Sequence, residues 1–249
     1  MNSRDPAHTK AIAPALGRAL GPGDAIVWGE DGAPRSARYG DIFFSPEDGL
    51  AETRHVFHGG VGLADRLARG GRLRIGEIGF GLGLNFLSAW AALDAASPLA
   101  PACLDYVAFE QAPQGEETLR RALEPWPELH GRRDRLLEAW PLADGITTQL
   151  APDLTITLHH GAAAALLAAL SEPRDVWWLD GFSPSKNPEA WAPELLRAVF
   201  ERTAPGGALA TYSAAGWVRR GLSAAGFEVA RRPGFGRKRE MVAARRPPF

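Results

Sequence analysis

The chain has 249 residues, a length that suits one α/β domain with additions or at most two small domains. Its composition, 45% hydrophobic and 23% charged, is ordinary for a globular protein, and its single cysteine excludes an intrachain disulfide and a cysteine-cluster zinc site. The net charge of −1 argues against a generally basic nucleic-acid binder, and the lack of a membrane-length apolar run or a signal-peptide pattern predicts a cytoplasmic protein without membrane contact.

The first predicted elements are two short strands, 25–28 and 37–44, around a turn at Asp31 and Gly32. The segment from Ser45 is typical of a loop that enters a helix. Further on, strand-like runs alternate with helix-length segments. The predicted strands are 73–78, 106–110, 154–158, 176–179 and 208–212, and the predicted helices are 84–94, 116–123, 162–170 and 193–203. Two last strands, 227–230 and 239–243, joined through residues 233–236, predict an antiparallel hairpin.

This order of elements indicates the fold class. Alternating strands and helices are typical of a mostly parallel sheet with helices on both faces. We therefore predict an α/β fold whose parallel sheet ends in the antiparallel hairpin. We also predict a small N-terminal extension with a short β-hairpin over residues 1–60 and one catalytic domain over residues 61–249.

A glycine-rich motif follows the first long strand. It reads RIGEIGFGLGLNFL from Arg74 and places Gly79, Gly81 and Gly83 between an apolar run and a helical pattern. Such a loop can bind a nucleotide-type ligand, because glycine lets the ligand approach the backbone and the helix start presents free N–H groups. The spacing is G-x-G-x-G with Glu77 just before it, which is similar to the first motif of the S-adenosylmethionine-dependent methyltransferases.

A second motif, WWLDGFSPSKNP from Trp177, runs from a predicted strand into a proline-broken loop. In an open α/β sheet, ligands bind beyond the carboxyl ends of the strands. Asp180 and Phe182 are therefore well placed to hold a flat, polar substrate. The same residues are equally typical of a strand followed by an ordinary turn, and this motif alone does not separate the two interpretations.

Four long blocks in the right order are more specific than either motif. They read FFSPEDGLAETRHVF, GEIGFGLGLNFL, LDGFSPSKNPEAW and GWVRRGLSAAGFEVARRPGFGRKREM, and they lie within residues 42–243. On these blocks the chain resembles the methyltransferase domain of the MnmC/MnmD family of tRNA-modifying enzymes. The resemblance implies a Rossmann-like methyltransferase fold, S-adenosyl-L-methionine as cofactor and tRNA as partner. The implied reaction is N-methylation of the 5-aminomethyl group of (2-thio)uridine at the tRNA wobble position, giving 5-methylaminomethyl(-2-thio)uridine.

The resemblance also implies roles for single residues. The implied cofactor-binding residues are Glu77, Gly79, Gly81, Gly83, Asn85 and Glu110. Among them, Asn85 would lie near the methionine moiety and Glu110 would accept the ribose hydroxyls. Asp180 would be the catalytic residue that accepts a hydrogen bond from the substrate amine. Phe182 would stack on the uracil, and Lys186 and Asn187 would shape the substrate pocket. Trp191 would join them there, but it is also typical of a core residue.

The charge is unevenly distributed along the chain. Residues 217–249 carry +7 and the remainder carries −8. A basic patch on an otherwise acidic protein predicts local docking of a phosphate backbone, with Arg237, Lys238 and Arg239 as candidate substrate contacts. These residues are equally typical of a solvated terminal hairpin.

The chain departs from the family pattern at one position, since Gly161 and Ala162 stand where the family usually has Gly-Asp to bind the adenine amino group. Bifunctional members continue into a flavin-dependent oxidase domain, so a separate oxidase that supplies the aminomethyl substrate is a candidate partner. Two other hypotheses stay open: a methyltransferase of this fold acting on another amine, and a catalytically inactive tRNA-binding homologue. We expect no metal site, because the histidine pairs lack acids or cysteines at ligand spacing.

Overall fold

The computed structural model describes residues 25–96 and 100–249, and within these ranges it contains one large sheet of eight strands. The strands are β1 Ile26–Trp28, β2 Pro34–Ser36, β3 Gly71–Ile78, β4 Ala102–Glu110, β5 Thr147–Ala151, β6 Leu154–His160, β7 Arg174–Leu179, β8 Thr203–Thr211, β9 Glu228–Pro233 and β10 Glu240–Arg245. The large sheet has the order β5-β6-β4-β3-β7-β8-β10-β9, and β1 pairs with β2 apart from it.

Helices connect these strands. They are α1 Gly49–Thr53, α2 Gly59–Val61, α3 Leu63–Ala68, α4 Leu84–Asp94, α5 Glu116–Ala122, α6 His130–Glu138, α7 Ala163–Leu166, α8 Pro193–Glu201 and α9 Gly216–Ala225. A π-helical turn, Arg54–His58, joins α1 to α2, and 3-10 turns occupy Pro127–Leu129, Leu167–Ala169 and Pro188–Trp191. In the part of the chain that the structure describes, no helix combines the length and apolar character that a membrane crossing requires.

The predicted α/β fold is confirmed. Strands β6, β4, β3, β7 and β8 pair in parallel, and β8, β10 and β9 pair antiparallel, so the sheet ends in the predicted hairpin. The chain leaves β3 in one direction, towards β4 and β6, and later returns to the other side of β3 as β7. This reversal creates a crevice at the carboxyl ends of β3 and β7, which is where open α/β sheets bind ligands.

Several elements were not predicted, among them β5, α3, α6 and α9. Strand β5 lies antiparallel to β6 at the sheet edge, and most of its residues are exposed or half-buried, so it lacks a strong apolar pattern. Helix α6 carries three arginines among its nine residues and buries three side chains. A surface helix of this kind gives a weak periodic signal, because few of its positions need to be apolar.

The second predicted N-terminal strand, 37–44, is wrong. The turn after β1 closes early, since the amide of Gly29 donates to the carbonyl of Ala33 and the carboxylate of Asp31 accepts from the amide of Ala33. The return strand is therefore β2, and residues 37–44 form turns with one isolated bridge from Ile42 to β2. The predicted extension over 1–60 stays a prediction, and its first 24 residues lie outside the described part.

The core lies on both faces of the sheet, and β7 shows how one strand serves both. Trp177 and Trp178 are fully buried and adjacent in sequence, so their side chains point to opposite faces. Trp178 packs with Phe57 and Tyr106 under α1 to α4, whereas Trp177 packs in the second cluster with α8 and α9. Packing of Trp177 and Trp178 on opposite faces of the sheet therefore fixes the position of β7 and of Asp180, which follows this strand directly.

We expect Gly76→Ala to destabilise the fold. Gly76 lies opposite Trp177 in the β3–β7 pair, and a Cβ at this position would lie 2.4 Å from the indole ring. Overpacking of a tight core costs about 1–3 kcal/mol, which corresponds to a Tm decrease of about 2–4 °C per kcal/mol for a chain of this size. Thermal unfolding measures the change.

Gly131→Ala is the matched control for this substitution. A Cβ at Gly131, in α6, would meet no atom within 4 Å, and alanine favours a helix over glycine. The control should keep or raise the wild-type Tm. Equal Tm values for the two variants would contradict the packing argument.

Candidate active site

A cavity of about 500 Å³ opens at the carboxyl ends of β3, β4, β6 and β7. The segments that follow these four strands all contribute to its wall, which is lined after each strand by residues 79–82, 110–112, 161–164 and 180–183. Residues 38–45 and the turn of the C-terminal hairpin at Lys238 complete the wall. The cavity therefore occupies the crevice that the sheet topology creates.

The glycine motif forms one side of this cavity. Gly79 has a φ of 90°, and a Cβ there would lie 2.6 Å from the carbonyl oxygen of Asp180, so only glycine lets the β3 and β7 loops meet. Gly81 also lines the cavity. Gly83, with a φ of 80°, immediately precedes α4 and lies outside the cavity wall.

Glu110 ends β4 and is held at the edge of the glycine loop. Its carboxylate accepts hydrogen bonds from the amide N–H of Gly81 at 2.8 Å and of Ala112 at 2.9 Å. It also lines the cavity. The carboxylate of Glu110 is therefore oriented beside the glycine loop, where the family resemblance implies the ribose of a cofactor.

Asn85, the second residue of α4, links Glu77, which is fully buried, to Asp180, which is half-buried. Its side-chain amide donates to Oε1 of Glu77 at 2.8 Å and to Oδ2 of Asp180 at 2.7 Å. Its carbonyl oxygen accepts from the hydroxyl of Thr53 at 2.8 Å, which fixes the orientation of the amide. Tyr106 donates to Oε2 of Glu77 at 2.7 Å, so both oxygens of that carboxyl group are engaged.

Glu77 is fully buried and does not reach the cavity wall, whereas Asn85 and Asp180 do. The structure thus places Glu77 behind Asn85. Asn85 therefore faces the cavity, and Glu77 is connected to the cavity wall through its hydrogen bond with the Asn85 amide.

The surroundings of both acids favour their neutral forms. Burial, followed by the charge of Asp180, raises the pKa of Glu77 to about 8, although the hydrogen bonds from Asn85 and Tyr106 oppose the shift. Burial also raises the pKa of Asp180 to about 7, against the hydrogen bond from Asn85. The charge of Glu52 also raises the pKa of Asp180, and the charge of Asp180 is the second-largest cause of the raised pKa of Glu77, so the protonation of Glu77 depends on that of Asp180.

Aromatic rings line the other side of the cavity. The ring of Phe182 lies 5.0 Å from that of Tyr39 and 5.1 Å from that of Phe43, measured between centroids. The carbonyl of Phe182 accepts from the indole N–H of Trp191 at 2.8 Å, and Trp191 is itself buried in the core. Tyr212 fixes the same loop by donating to the carbonyl of Gly181 at 2.7 Å.

The predicted substrate-binding residues separate into two groups. Asn187 and Lys238 line the cavity; the ammonium of Lys238 contacts Glu52 at 2.7 Å and lies 4.2 Å from the ring centroid of Tyr212. Lys186, Arg237 and Arg239 lie outside its wall.

Two of the three residues outside the cavity wall form ion pairs with acidic side chains. Lys186 contacts Asp41 at 3.0 Å, and Arg237 contacts Glu47 at 3.1 Å while remaining 94% exposed. These two cations therefore belong to the rim of the site.

Sequence reasoning missed several residues that the structure brings to the site. They are Tyr39, Asp41, Phe43, Glu52, Thr53, Tyr106 and Tyr212. Most of them come from the N-terminal segment, whose block FFSPEDGLAETRHVF contributed to the resemblance but gave no residue roles. Asp41 is an example, since its carboxylate accepts from the amide of Ser183 at 2.7 Å and so ties this segment to the loop after β7.

Comparisons with known proteins agree with this geometry. A family model described as S-adenosyl-L-methionine-dependent methyltransferase matches residues 127–247. The tRNA 5-methylaminomethyl-2-thiouridine biosynthesis bifunctional protein MnmC of Chromohalobacter salexigens is 44% identical over 92% of this chain, and that of Caulobacter vibrioides is 46% identical over 89%. The crystal structure of MNMC2 from Aquifex aeolicus has a TM-score of 0.72 at 25% identity and covers 94% of this chain and 75% of that one.

The chain belongs to the family of MnmC methyltransferase domains. It spans 34% of the Chromohalobacter relative and 38% of the Caulobacter relative. The cofactor of the family is S-adenosyl-L-methionine.

The residues on the glycine side of the cavity fit that cofactor. The backbone at Gly79 has no room for a Cβ, and Glu110 presents an oriented carboxylate. Ala162, which replaces the expected adenine-binding acid, lines the cavity beside Gly161. Within the described ranges, no group of three His, Cys, Asp or Glu side chains is arranged to hold a metal ion.

We expect Glu77→Gln to flatten the pH dependence of thermal stability. The pKa of Glu77 rises from 4.5 in the unfolded chain to about 8 in the folded protein, so the folded state retains a proton that the unfolded state releases. This stabilising contribution is fully present below about pH 4.5 and is lost as the pH rises through about 8. The Tm of the variant should therefore decrease less than that of the wild type between about pH 5 and 8.

Calorimetry at several pH values in this range measures the difference. Glu138→Gln is the control, because Glu138 is exposed and, among the described residues, pairs with Arg135 alone. Its Tm should follow the wild-type slope. If Tm decreases equally with pH in the wild type and in Glu77→Gln, the folded protein does not retain a proton on the Glu77 carboxyl group.

Proposed function

We propose that this chain transfers a methyl group from S-adenosyl-L-methionine to the amine of a 5-aminomethyl(-2-thio)uridine at the wobble position of tRNA. The observation that carries the proposal is the position of Asp180. Its carboxylate lines the cavity at the junction of the glycine side and the aromatic side, and Asn85 fixes its orientation. A methyl donor on one side and a flat base on the other would meet at this carboxylate.

The proposed cofactor contacts follow from the glycine side of the cavity. Gly79 and Gly81 would give the cofactor close access to the backbone, and Glu110 would accept its ribose hydroxyls. Asn85 would lie near the methionine moiety, with Glu77 holding the Asn85 amide in place. When bound, S-adenosyl-L-methionine supplies an electrophilic methyl group on a positively charged sulfur.

The amine must be neutral at the moment of attack. A carboxylate by itself would favour the ammonium form, whereas removal from water favours the neutral amine. Among the described residues, Oδ1 of Asp180 has no hydrogen-bond donor, so it is available to an amine N–H. We therefore assign Asp180 the role of orienting the nitrogen lone pair towards the methyl group and of accepting the proton that the product releases.

The aromatic side supports a planar nucleobase as substrate. Unpaired RNA bases commonly stack on aromatic side chains, and Phe182 lies in this wall with Tyr39 and Phe43. Asn187 and Lys238 offer hydrogen-bond donors in the same wall. Lys186, Arg237 and Arg239 would contact the tRNA backbone outside the cavity, in the cytoplasm where tRNA is modified.

The 5-aminomethyl substrate must be formed before this reaction. The similar MnmC proteins carry the word bifunctional in their names, and the resemblance assigns the preceding step to a flavin-dependent oxidase. We propose that such an oxidase, in the same or a separate chain, releases the amine that this chain methylates.

The test of the proposed function is methyl transfer to tRNA that lacks this methylation, followed by mass spectrometry of the nucleosides. We expect a gain of one methyl group on 5-aminomethyl(-2-thio)uridine that depends on S-adenosyl-L-methionine. Cofactor binding without this gain would move the proposal to another amine substrate. Loss of both cofactor binding and transfer would leave an inactive tRNA-binding homologue.

We expect Asp180→Ala to lower turnover by about 100-fold or more while cofactor binding remains nearly intact, because the variant loses the acceptor for the amine and its proton. Single-turnover methylation of tRNA measures the first effect, and calorimetric titration with S-adenosyl-L-methionine measures the second. Turnover near that of the wild type would remove Asp180 from the mechanism.

Asp180→Asn is the matched variant, because it keeps the shape of the side chain but cannot accept a proton. A carboxyl group with a pKa of about 7 can accept the amine's proton only in its ionised form, above that pH, so the wild-type kcat/KM should decrease as the pH falls through about 7. In Asp180→Ala and Asp180→Asn, the decrease of kcat/KM that protonation of Asp180 causes around pH 7 should be absent. A wild-type pH profile with full activity in Asp180→Asn would contradict the assignment.

A further inference from the structure

A second, shallow hollow of about 690 Å³ adjoins the catalytic cavity. It lies between the loop after β7, the segment after β8 and the hairpin turn. Ser183, Tyr212 and Lys238 line both spaces, so they form a shared border. A polymeric substrate whose reacting unit enters the cavity would pass over this border, and its neighbouring unit would lie in the hollow.

The hollow contains an exposed indole. Trp217, in the first turn of α9, lines the hollow and is 40% exposed, whereas Trp177, Trp178 and Trp191 are each at most 1% exposed. The fold does not need the Trp217 side chain for its core. An exposed aromatic ring in a groove is the platform on which the bases of single-stranded nucleic acids stack.

The charge around this indole favours an anionic ligand. Arg239 lines the hollow, and its side chain has no hydrogen bond or ion pair with any described residue. Glu240 also lines the hollow, but it pairs with Arg231 at 2.8 Å. Arg220, one helical turn after Trp217, is exposed and likewise has no carboxylate partner among the described residues. The guanidinium groups at Arg220 and Arg239 are therefore available to phosphate.

We propose that the hollow around Trp217 binds the nucleotide next to the one that is methylated, with its base stacked on the indole and its phosphate contacted by Arg239. This inference rests on the proposed function and identifies how that site recognises an RNA single strand. The occupant is a nucleotide because the hollow combines an aromatic platform with the unpaired guanidinium of Arg239 and is continuous with the catalytic cavity. An isolated base or a phosphate alone would use only half of these features.

The test uses a tRNA anticodon stem-loop that carries 5-aminomethyluridine at the wobble position. We expect Trp217→Ala to lower kcat/KM for this RNA by about tenfold, the size of one lost base–aromatic stack. Trp217→Phe keeps an aromatic ring and should retain most of the activity. S-adenosyl-L-methionine affinity, measured by calorimetry, should be unchanged in both variants.

A double-mutant cycle locates the base. One RNA lacks the base on the 5′ side of the target nucleotide, and another lacks the base on its 3′ side. In the wild type, one of these abasic RNAs should lose about tenfold in kcat/KM. With Trp217→Ala, kcat/KM for this abasic RNA should be nearly the same as for the complete RNA, because the variant has no indole on which the base could stack.

Two controls accompany the cycle. Ile146→Ala removes another exposed hydrophobic side chain, 60% exposed and outside both spaces, and should leave kcat/KM unchanged. Arg239→Ala should reduce the salt dependence of RNA binding, whereas Arg72→Ala, at the opposite end of the sheet in β3, should not.

Different outcomes separate the inference from the proposed function. If the wild type methylates the stem-loop and neither abasic RNA shows coupling to Trp217, the inference is overturned and the proposed function stands. If Trp217→Ala retains full kcat/KM, the inference is also overturned. If the wild type methylates no RNA while binding S-adenosyl-L-methionine, the proposed function fails, and the inference fails with it.

Discussion

The side-chain amide of Asn85 is the interaction on which the site depends. One amide group donates to carboxyl groups that arrive from β3 and from the loop after β7, while its oxygen is held from α1. Glu77 and Asp180 would repel each other if both were charged, and each receives one N–H from the same residue. Because Tyr106 engages the remaining oxygen of Glu77, a shift of any member leaves a buried polar group without a partner. The position of Asp180 is thus set by several elements of the fold together.

Local patterns made much of this site predictable. A strand, a glycine turn and a helix start are consecutive in sequence, so Gly79 and Gly81 could be placed near a ligand, and Asp180 could be placed at the end of a buried strand. The role of Asn85 came only from the family resemblance. The aromatic side of the cavity could not be predicted in this way. Its contacts join residues that are far apart in the chain, such as Asp41 and Ser183, separated by 142 positions. Nothing in the local sequence around Tyr39 or Phe43 indicates which loop they will meet.

Net charge along the sequence was a coarse guide to the C-terminal segment. The net charge gives every cation in this segment the same weight, but the cations differ in the hydrogen bonds and ion pairs that they form. Arg231 and Arg237 face glutamates, and Arg232 and Arg246 donate to backbone carbonyls, so these four are partly committed to the fold. Lys238 turns inward to Glu52 and modulates the charge of the cavity. The availability of a cation to a phosphate is therefore a property of the folded surface and cannot be read from the position of the cation in the sequence.

The cavity wall is assembled from the two distant ends of the described chain. Tyr39 and Glu52 come before the first strand of the large sheet, and Lys238 lies in the turn between its last two strands. A protein made on the ribosome emerges from its N-terminal side and folds progressively. The glycine loop and β3 can form early, but the Glu52–Lys238 contact must wait until the final hairpin has emerged. A nascent chain from which the β9–β10 hairpin has not yet emerged therefore has an incomplete cavity wall, because Lys238 and its contact with Glu52 are still missing.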